Sequence, residues 1–250
     1  LSIQSGLCAA FYRRVSKGKS MAGILVGVGV GPGDPELLTI KACRALKACD
    51  LLVLPAKTKE KCYAYQIAVQ AVPQLAEKAC LYMDFPMIKD QKALDAQMDQ
   101  NAKEIISWLK KNKNIVFVTI GDPSIYATYH YIHRRVVAQG YEAKIISGIP
   151  SFLALAARLG ISLVDRDQQI HVIPGSYDTE DAKDYPGTRI YMKAGKSLAH
   201  LKAGLQREVE SGKILEVYAV ANCGMENEKV MIGLDVLEED AGYLTTVIVK

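Results

Sequence analysis

Gly27-Val28-Gly29-Val30-Gly31-Pro32-Gly33-Asp34-Pro35 is the stretch on which the fold turns. A short apolar run, Ile24-Leu25-Val26, precedes it, and an amphipathic pattern follows it. A buried strand, a glycine turn and a helix N-terminus, in that order, are how an open α/β sheet presents its ligand crevice. The glycines let the backbone approach a ligand closely or take positive φ. Asp34 is placed as an N-cap, with Pro35 at the first helical position. A tight strand-to-helix turn with no ligand explains a lone glycine-rich stretch about as well, and a second loop of similar character tilts the balance.

A nicotinamide-binding fingerprint does not fit. G-x-G-x-x-G begun at Gly27 would end on Pro32, and begun at Gly29 it would end on Asp34. The second apolar run, residues 51–54, leads into Pro55-Ala56-Lys57, with no carboxylate to hold a ribose. No Gly-Lys-Ser/Thr follows the glycines, so a phosphate-binding P-loop is excluded as well.

At 250 residues the chain suits one large or two modest domains with a substantial core. No apolar run approaches the ~20 residues of a membrane span, and no membrane role is expected. The net charge of +4 is carried by Arg13, Arg14, Lys17 and Lys19; the remaining 27 basic residues balance 27 acidic ones. That balance gives no support to a nucleic-acid partner. Met21 is the natural start of the fold, and residues 1–20 are expected to be a non-native or disordered extension. The six cysteines (Cys8, Cys43, Cys49, Cys62, Cys80, Cys223) contain no C-x-x-C pair. Buried free thiols in a reducing cytoplasm are expected, and no metal site.

Periodicity predicts strands at 24–28, 51–54, 79–83, 115–119 and 143–146, and helices at 35–48, 64–72, 91–111 and 124–139. Brief apolar strands, each followed by a crossover, predict a parallel sheet covered on both faces. Leu94, Met98, Ile105, Ile106 and Leu109 recur at helical spacing and are expected to face the core, with Trp108 packing beside them. After Ser147 the pattern changes. A helix at 151–159 is followed by strands at 170–173, 189–192, 214–220, 229–233 and 245–249, with one clear helix, 197–209, among them. Adjacent strands with little helix between them predict a mixed sheet and a second domain. The expected division is 21–148 and 149–250.

Ligands of such sheets bind beyond the carboxyl ends of the strands. The loops there are residues 29–35, Pro55-Ala56-Lys57-Thr58-Lys59-Glu60-Lys61, Asp84-Phe85-Pro86-Met87-Ile88-Lys89-Asp90, Ile120-Gly121-Asp122-Pro123-Ser124-Ile125-Tyr126 and Ser147-Gly148-Ile149-Pro150-Ser151. Asp122 either starts the next helix or orients a ligand lying on the turn.

The run from Gly27 to Ala42, with Gly121-Asp122-Pro123 further on, resembles the tetrapyrrole methylase family, the S-adenosylmethionine-dependent methyltransferases of cobalamin and sirohaem synthesis. The likeness covers residues 22–250. Asp84-Phe85-Pro86-Met87, residues 121–128 and residues 147–152 are similar to the branch that methylates C20 of precorrin-2 or its cobalt form. The Gly-Gly-Asp-Pro-Phe and Pro-Gly-Ile-Thr-Ser runs of uroporphyrinogen methylases are absent.

The resemblance implies an α/β fold of two domains with S-adenosylmethionine in the cleft between them, in a cytoplasmic homodimer. It implies that Ile120, Gly121, Asp122, Ile125, Tyr126, Pro150 and Ser151 contact the cofactor. Tyr191, Met192, Lys193, Asn222, Cys223, Thr245 and Thr246 would complete that pocket. Cys223 stands where the family carries a smaller residue such as alanine. Gly29, Gly31, Pro32, Gly33 and Phe85 would face an anionic tetrapyrrole, and Lys57, Lys59, Lys61 and Lys89 would meet its carboxylates, with Arg134 and Arg135 nearby. Asp34 and Asp122 are candidate acceptors of the proton lost on methylation, or plain helix caps. The other readings are a sibling methylase of different regiospecificity, a diphthamide-synthesis methylase and a non-catalytic tetrapyrrole-binding protein. His130, His133, His171 and His200 are expected to be structural.

Overall fold

The computed structural model describes residues 22–86, 90–177, 179–238 and 240–250; residues 1–20 and Lys89 lie outside them. The chain forms two compact units. One holds residues 22–30 together with Leu38–Gly148, and the other holds Gly31–Leu37 and Ile149–Lys250.

The first unit is built on β1 (Leu25–Gly29), β2 (Leu51–Leu54), β3 (Cys80–Tyr82), β4 (Ile115–Thr119) and β5 (Ala143–Ile146). All pair in parallel, in the order β3-β2-β4-β1-β5. Every residue of β2 and β4 is buried, as a sheet covered on both faces requires. The helices are α1 (Ile40–Ala48), α2 (Tyr63–Ala71), α3 (Gln91–Leu109) and α4 (Tyr129–Ala138). Met98, Ile105, Ile106 and Leu109 of α3 join Tyr129, Ile132 and Val136 of α4 over Leu25, Ile115 and Phe117, with Trp108 packed alongside. Tyr129 is fully buried; its hydroxyl donates to the Lys144 carbonyl at 2.6 Å. Gly27 is required beneath it, because a Cβ there would lie 2.3–2.5 Å from the Tyr129 ring. That glycine serves packing.

Two helix starts differ from the sequence expectation. Residues 35–37 form a single 3-10 turn, and α1 begins only at Ile40, capped by Thr39, whose hydroxyl accepts from Ala42 N–H at 3.1 Å. Asp34 caps the 3-10 turn instead: its Oδ1 accepts from Glu36 N–H at 2.8 Å. The helix expected from residue 124 starts at Tyr129, because Tyr126 takes φ 47° and a left-handed residue cannot lie inside an α-helix.

The second unit contains α5 (Ser151–Leu159), β6 (Ile170–Pro174), β7 (Thr188–Met192), α6 (Leu198–Glu210), β8 (Val217–Ala221), β9 (Lys229–Ile232) and β10 (Thr245–Val249). The sheet order is β6-β7-β10-β8-β9; only β6 and β7 run parallel. Leu198, Leu201 and Leu205 of α6 pack with Tyr191, Val217, Ala219, Val247 and Val249. Strand alternation sends the neighbouring residues of β7 and β10 to the opposite face, and α5 packs against those strands.

A charged pair lies within this unit. Arg189, 4% exposed, donates to Glu208 at 2.8 Å, and Lys213 reaches the other Glu208 oxygen at 3.1 Å. Burial pushes the Glu208 carboxyl up, but the hydrogen bonds and charges of Arg189 and Lys213 outweigh burial and leave it below the usual carboxylate range. A depressed folded-state pKa contributes stability above the unfolded value and loses it as pH falls through the folded one. Below about pH 4.5 the wild type should therefore lose stability more steeply than Glu208→Gln. At pH 7, Glu208→Ala should cost about 3–5 kcal/mol by leaving Arg189 buried without its partner. Urea unfolding across pH 3–7 measures both; parallel acid limbs in wild type and Glu208→Gln would refute the linkage.

Candidate active site

In a parallel sheet every strand delivers its carboxyl end to the same edge, so the loops leaving β4, β1 and β5 are neighbours. Here they meet without room for side chains. A Cβ on Gly29 would lie 2.4 Å from the Gly121 carbonyl oxygen and 2.6 Å from Gly148 N, and a Cβ on Gly148 would lie 2.1 Å from the same oxygen. Gly121 itself takes φ 68°.

Asp122 joins two of these loops. It is 8% exposed. Its Oδ1 accepts from Ser124 N–H at 2.7 Å and from the Ser124 hydroxyl at 2.5 Å, while Oδ2 accepts from Gly148 N–H at 3.0 Å. Asp122 is therefore not the cap of α4, whose N-cap is Thr128. Ile120 and Ile125 flank the turn half-buried, and Tyr126 is exposed beyond it.

In the second unit another set of strand ends gathers. Met192 at the end of β7 stands opposite Thr246, and Ala221 at the end of β8 stands opposite Thr245. Lys193 and Asn222 follow with φ 58° and 52°. Five non-glycine residues among those described take positive φ, and three of them, Tyr126, Lys193 and Asn222, are positions assigned to the cofactor from sequence. Such conformations are costly for ordinary side chains and concentrate at ligand sites. Ser151, at the start of α5, shares a hydrogen bond of 2.8 Å with the Thr246 hydroxyl. Pro150 caps that helix half-buried.

Strand alternation divides the set. Thr246 and Met192 share the α5 face. Thr245 points the other way, and its hydroxyl donates to the Ala241 and Gly242 carbonyls at 3.0 and 2.7 Å. Tyr191 is also on the α6 face, in the core with Leu201 and Leu205 beside a cavity of about 380 Å³ rimmed by Lys183, Arg207 and Lys213. Only the backbones of Tyr191 and Thr245 are available at the strand ends. Cys223 is buried, and burial, helped by Glu228 and opposed by Arg158, pushes its thiol up to about 11. It packs as a small neutral group. Its carbonyl lies where a Cβ on Gly33 would come within 2.1 Å, so Gly33 is small because of this turn.

The remaining assignments separate. Gly31 and Pro32 are buried. Lys59 donates to the Ala76 carbonyl at 2.8 Å and sits over the Tyr65 ring, so it fastens its own loop; Lys57 and Lys61 are exposed. Arg135 is held by Asp95 and Asp99 at 2.7 and 2.6 Å and ties α4 to α3. Phe85 packs edge-on against Phe117, 5.5 Å between ring centres, as part of the core. Gly148 and Ser124, which lie within the quoted motifs but were given no role there, complete the constellation in the first unit. The signal for Gly148 was its place after β5, next to β1. Among the described residues no group of three His, Cys, Asp or Glu side chains is arranged to hold a metal ion, and no helix is long and apolar enough to cross a membrane.

Known proteins share this frame. A probable cobalt-precorrin-2 C(20)-methyltransferase from Methanocaldococcus jannaschii is 35% identical over 228 residues, 90% of this chain and 94% of its own. A precorrin-2 C(20)-methyltransferase from Sinorhizobium sp is 28% identical over 236 residues, 91% and 95% of the two chains. Among solved structures, uroporphyrin-III C-methyltransferase from Thermus thermophilus complexed with S-adenosylhomocysteine superposes with a TM-score of 0.65 at 20% identity, covering 91% of this chain and 97% of that one. A cobalt precorrin-4 methyltransferase superposes with a TM-score of 0.67 at 17% identity, covering 90% and 94%. These structural likenesses establish the fold.

The glycine junction is directly testable. Gly148→Ala should lose about 2–4 kcal/mol through overpacking against backbone that cannot yield. Gly140→Ala, at φ 85° with nothing within 4 Å, should lose only about 1 kcal/mol from backbone strain. Equal losses in urea unfolding would mean that the junction is not close-packed. The family model described as tetrapyrrole (corrin/porphyrin) methylases matches residues 24–234, and with strand ends, glycine turns and relatives in agreement, the chain belongs to that family.

Proposed function

We propose that this chain is an S-adenosylmethionine-dependent methyltransferase of cobalamin biosynthesis that methylates C20 of precorrin-2 or of its cobalt form. The observation that carries this reading is the identity shared with the relative from Methanocaldococcus jannaschii along nearly the whole of both chains. The residues fit the donor: the Gly121-Asp122 turn offers backbone at a close approach, and the β7 and β8 ends offer Met192, Asn222 and Thr246 beside left-handed backbone. When bound, S-adenosylmethionine supplies an electrophilic methyl group on a sulfonium, so the electron-rich ring carbon attacks and no covalent protein nucleophile is required.

What the chain contributes is alignment, for which orientation can supply roughly 7–11 kcal/mol. Ile120, Gly121, Ile125, Tyr126, Pro150, Ser151, Lys193 and Cys223 are proposed to line the donor, with the backbones of Tyr191 and Thr245. Gly29, Gly31, Pro32 and Gly33 are proposed to present backbone towards the tetrapyrrole. Lys57 and Lys61, both exposed, are proposed to meet its carboxylates. Asp34 is the favoured proton acceptor, because only one of its carboxylate oxygens has a hydrogen-bond partner among the described residues. The family resemblance supports a cytoplasmic homodimer.

Incubation with methyl-labelled S-adenosylmethionine and precorrin-2, with and without cobalt, should give one labelled methyl group at C20. Label at another carbon, or none with either substrate, would refute the assignment. Raising salt from about 0.05 to 0.5 M should raise the tetrapyrrole KM several-fold, and the doubly substituted Lys57→Ala, Lys61→Ala chain should lose much of that dependence.

A further inference from the structure

We infer that Asp122 is a positioning residue and not the proton acceptor: its carboxylate latches the loop after β4 to the loop after β5 and so shapes the backbone edge on which the donor rests. This deepens the proposed function and rests on it.

A general base must offer a lone pair to the proton that it removes. Three of the four lone-pair sites of the Asp122 carboxylate are taken inside the first unit, by two backbone N–H groups and one hydroxyl, and the residue is almost fully buried. A proton on Oδ1 would displace a Ser124 donor, and one on the second lone pair of Oδ2 would remove the charge that strengthens the bond to Gly148 N–H. Taking the proton would therefore loosen the loop that holds the donor. Nor is the latch replaceable by ordinary loop packing. The bond to Gly148 spans 26 residues of chain, and without it a buried backbone N–H loses its partner. The glycines are the counterpart of this bond. Drawing Gly148 so close to the Gly121 carbonyl is possible only where neither Gly29 nor Gly148 carries a Cβ.

Asparagine is the informative substitution. It matches aspartate in shape but has one acceptor oxygen and one donor amide, so in either orientation its NH₂ confronts the N–H of Ser124 or of Gly148. Ser124→Ala is milder, removing one of the three bonds and leaving the carboxylate intact.

The full chain and both variants would be titrated calorimetrically with S-adenosylhomocysteine, and kcat, the donor KM and the pH profile of kcat measured. For Asp122→Asn we expect affinity for S-adenosylhomocysteine to fall at least about tenfold and the donor KM to rise with it, the acid limb of the profile staying in place. Ser124→Ala should weaken affinity in the same direction by about two- to fivefold. Unchanged affinity in Asp122→Asn, with kcat down about a hundredfold and the acid limb abolished, would make Asp122 the base and overturn the inference. Should Asp122→Asn fail to fold, Ser124→Ala decides: wild-type affinity there would overturn it equally. If the unmodified chain binds no S-adenosylhomocysteine, the donor reading itself falls and the latch role falls with it. If the unmodified chain binds it and Asp122→Asn binds as well, only the latch role falls.

Discussion

Three adjacent parallel strands end at one point where no side chain fits, and the first unit is organised around that close approach. Gly29, Gly121 and Gly148 belong to loops far apart in sequence, yet the spacing between their backbones is smaller than a methyl group permits. Glycine alone does not hold strand ends together, since it only permits the approach. What draws them in is the Asp122 carboxylate, accepting from the loop on each side in a buried setting where such bonds are strong. The register of β4, β1 and β5 sets where the ends fall, and the carboxylate fixes how the chain leaves them. A rigid strand edge with a shaped backbone is what methyl transfer needs, because alignment, rather than a reactive side chain, carries most of the chemistry.

The second unit solves a different problem with antiparallel neighbours. The ends of β7 and β8 flank the beginning of β10, so carboxyl and amino ends of strands lie side by side. Lys193 and Asn222 turn the chain away in left-handed conformations, and each turn is tied to the β10 side by a backbone bond, Ala194 N–H to Thr245 at 3.0 Å and Asn222 N–H to Leu244 at 3.1 Å. These turns are over-determined by the sheet, which is how strained residues persist.

Much of this was legible in the sequence because buried strands are short apolar runs: β2 and β4, parallel, and β10, antiparallel to its neighbours, are buried throughout and fall within the predicted bounds. Helix starts were less so. Asp34-Pro35 and Asp122-Pro123 both carry the composition of a cap, but cap chemistry also closes a single 3-10 turn or a loop, and only tertiary partners decide which. The site suffered from the same ambiguity at the level of side chains. Thr245 and Thr246 are adjacent letters but point to opposite faces, a consequence of the strand period. Lys59 and Arg135 looked like substrate clamps because charge is visible in sequence while the Ala76 carbonyl, Asp95 and Asp99 that engage them are not.

The constraint that fixes the strand edge also limits where specificity can reside. Residues of the junction are locked by backbone packing, and a change there would alter the frame before it altered the choice of ring carbon. In the loops after β2 and β3, Lys59 and Phe85 are tied down, but Lys57, Lys61 and Asp84 are exposed and Pro86 is half-buried. Side chains there can change size and charge at little cost to stability, since surface positions away from special backbone generally tolerate substitution. A macrocycle bearing many carboxylates is oriented by where its counter-charges stand, and moving one lysine by a residue in such a loop shifts the anchoring point by several ångströms, enough to bring a different meso carbon into line. Under the proposed function, regiochemistry is therefore expected to be encoded in exposed loop positions that the fold least requires.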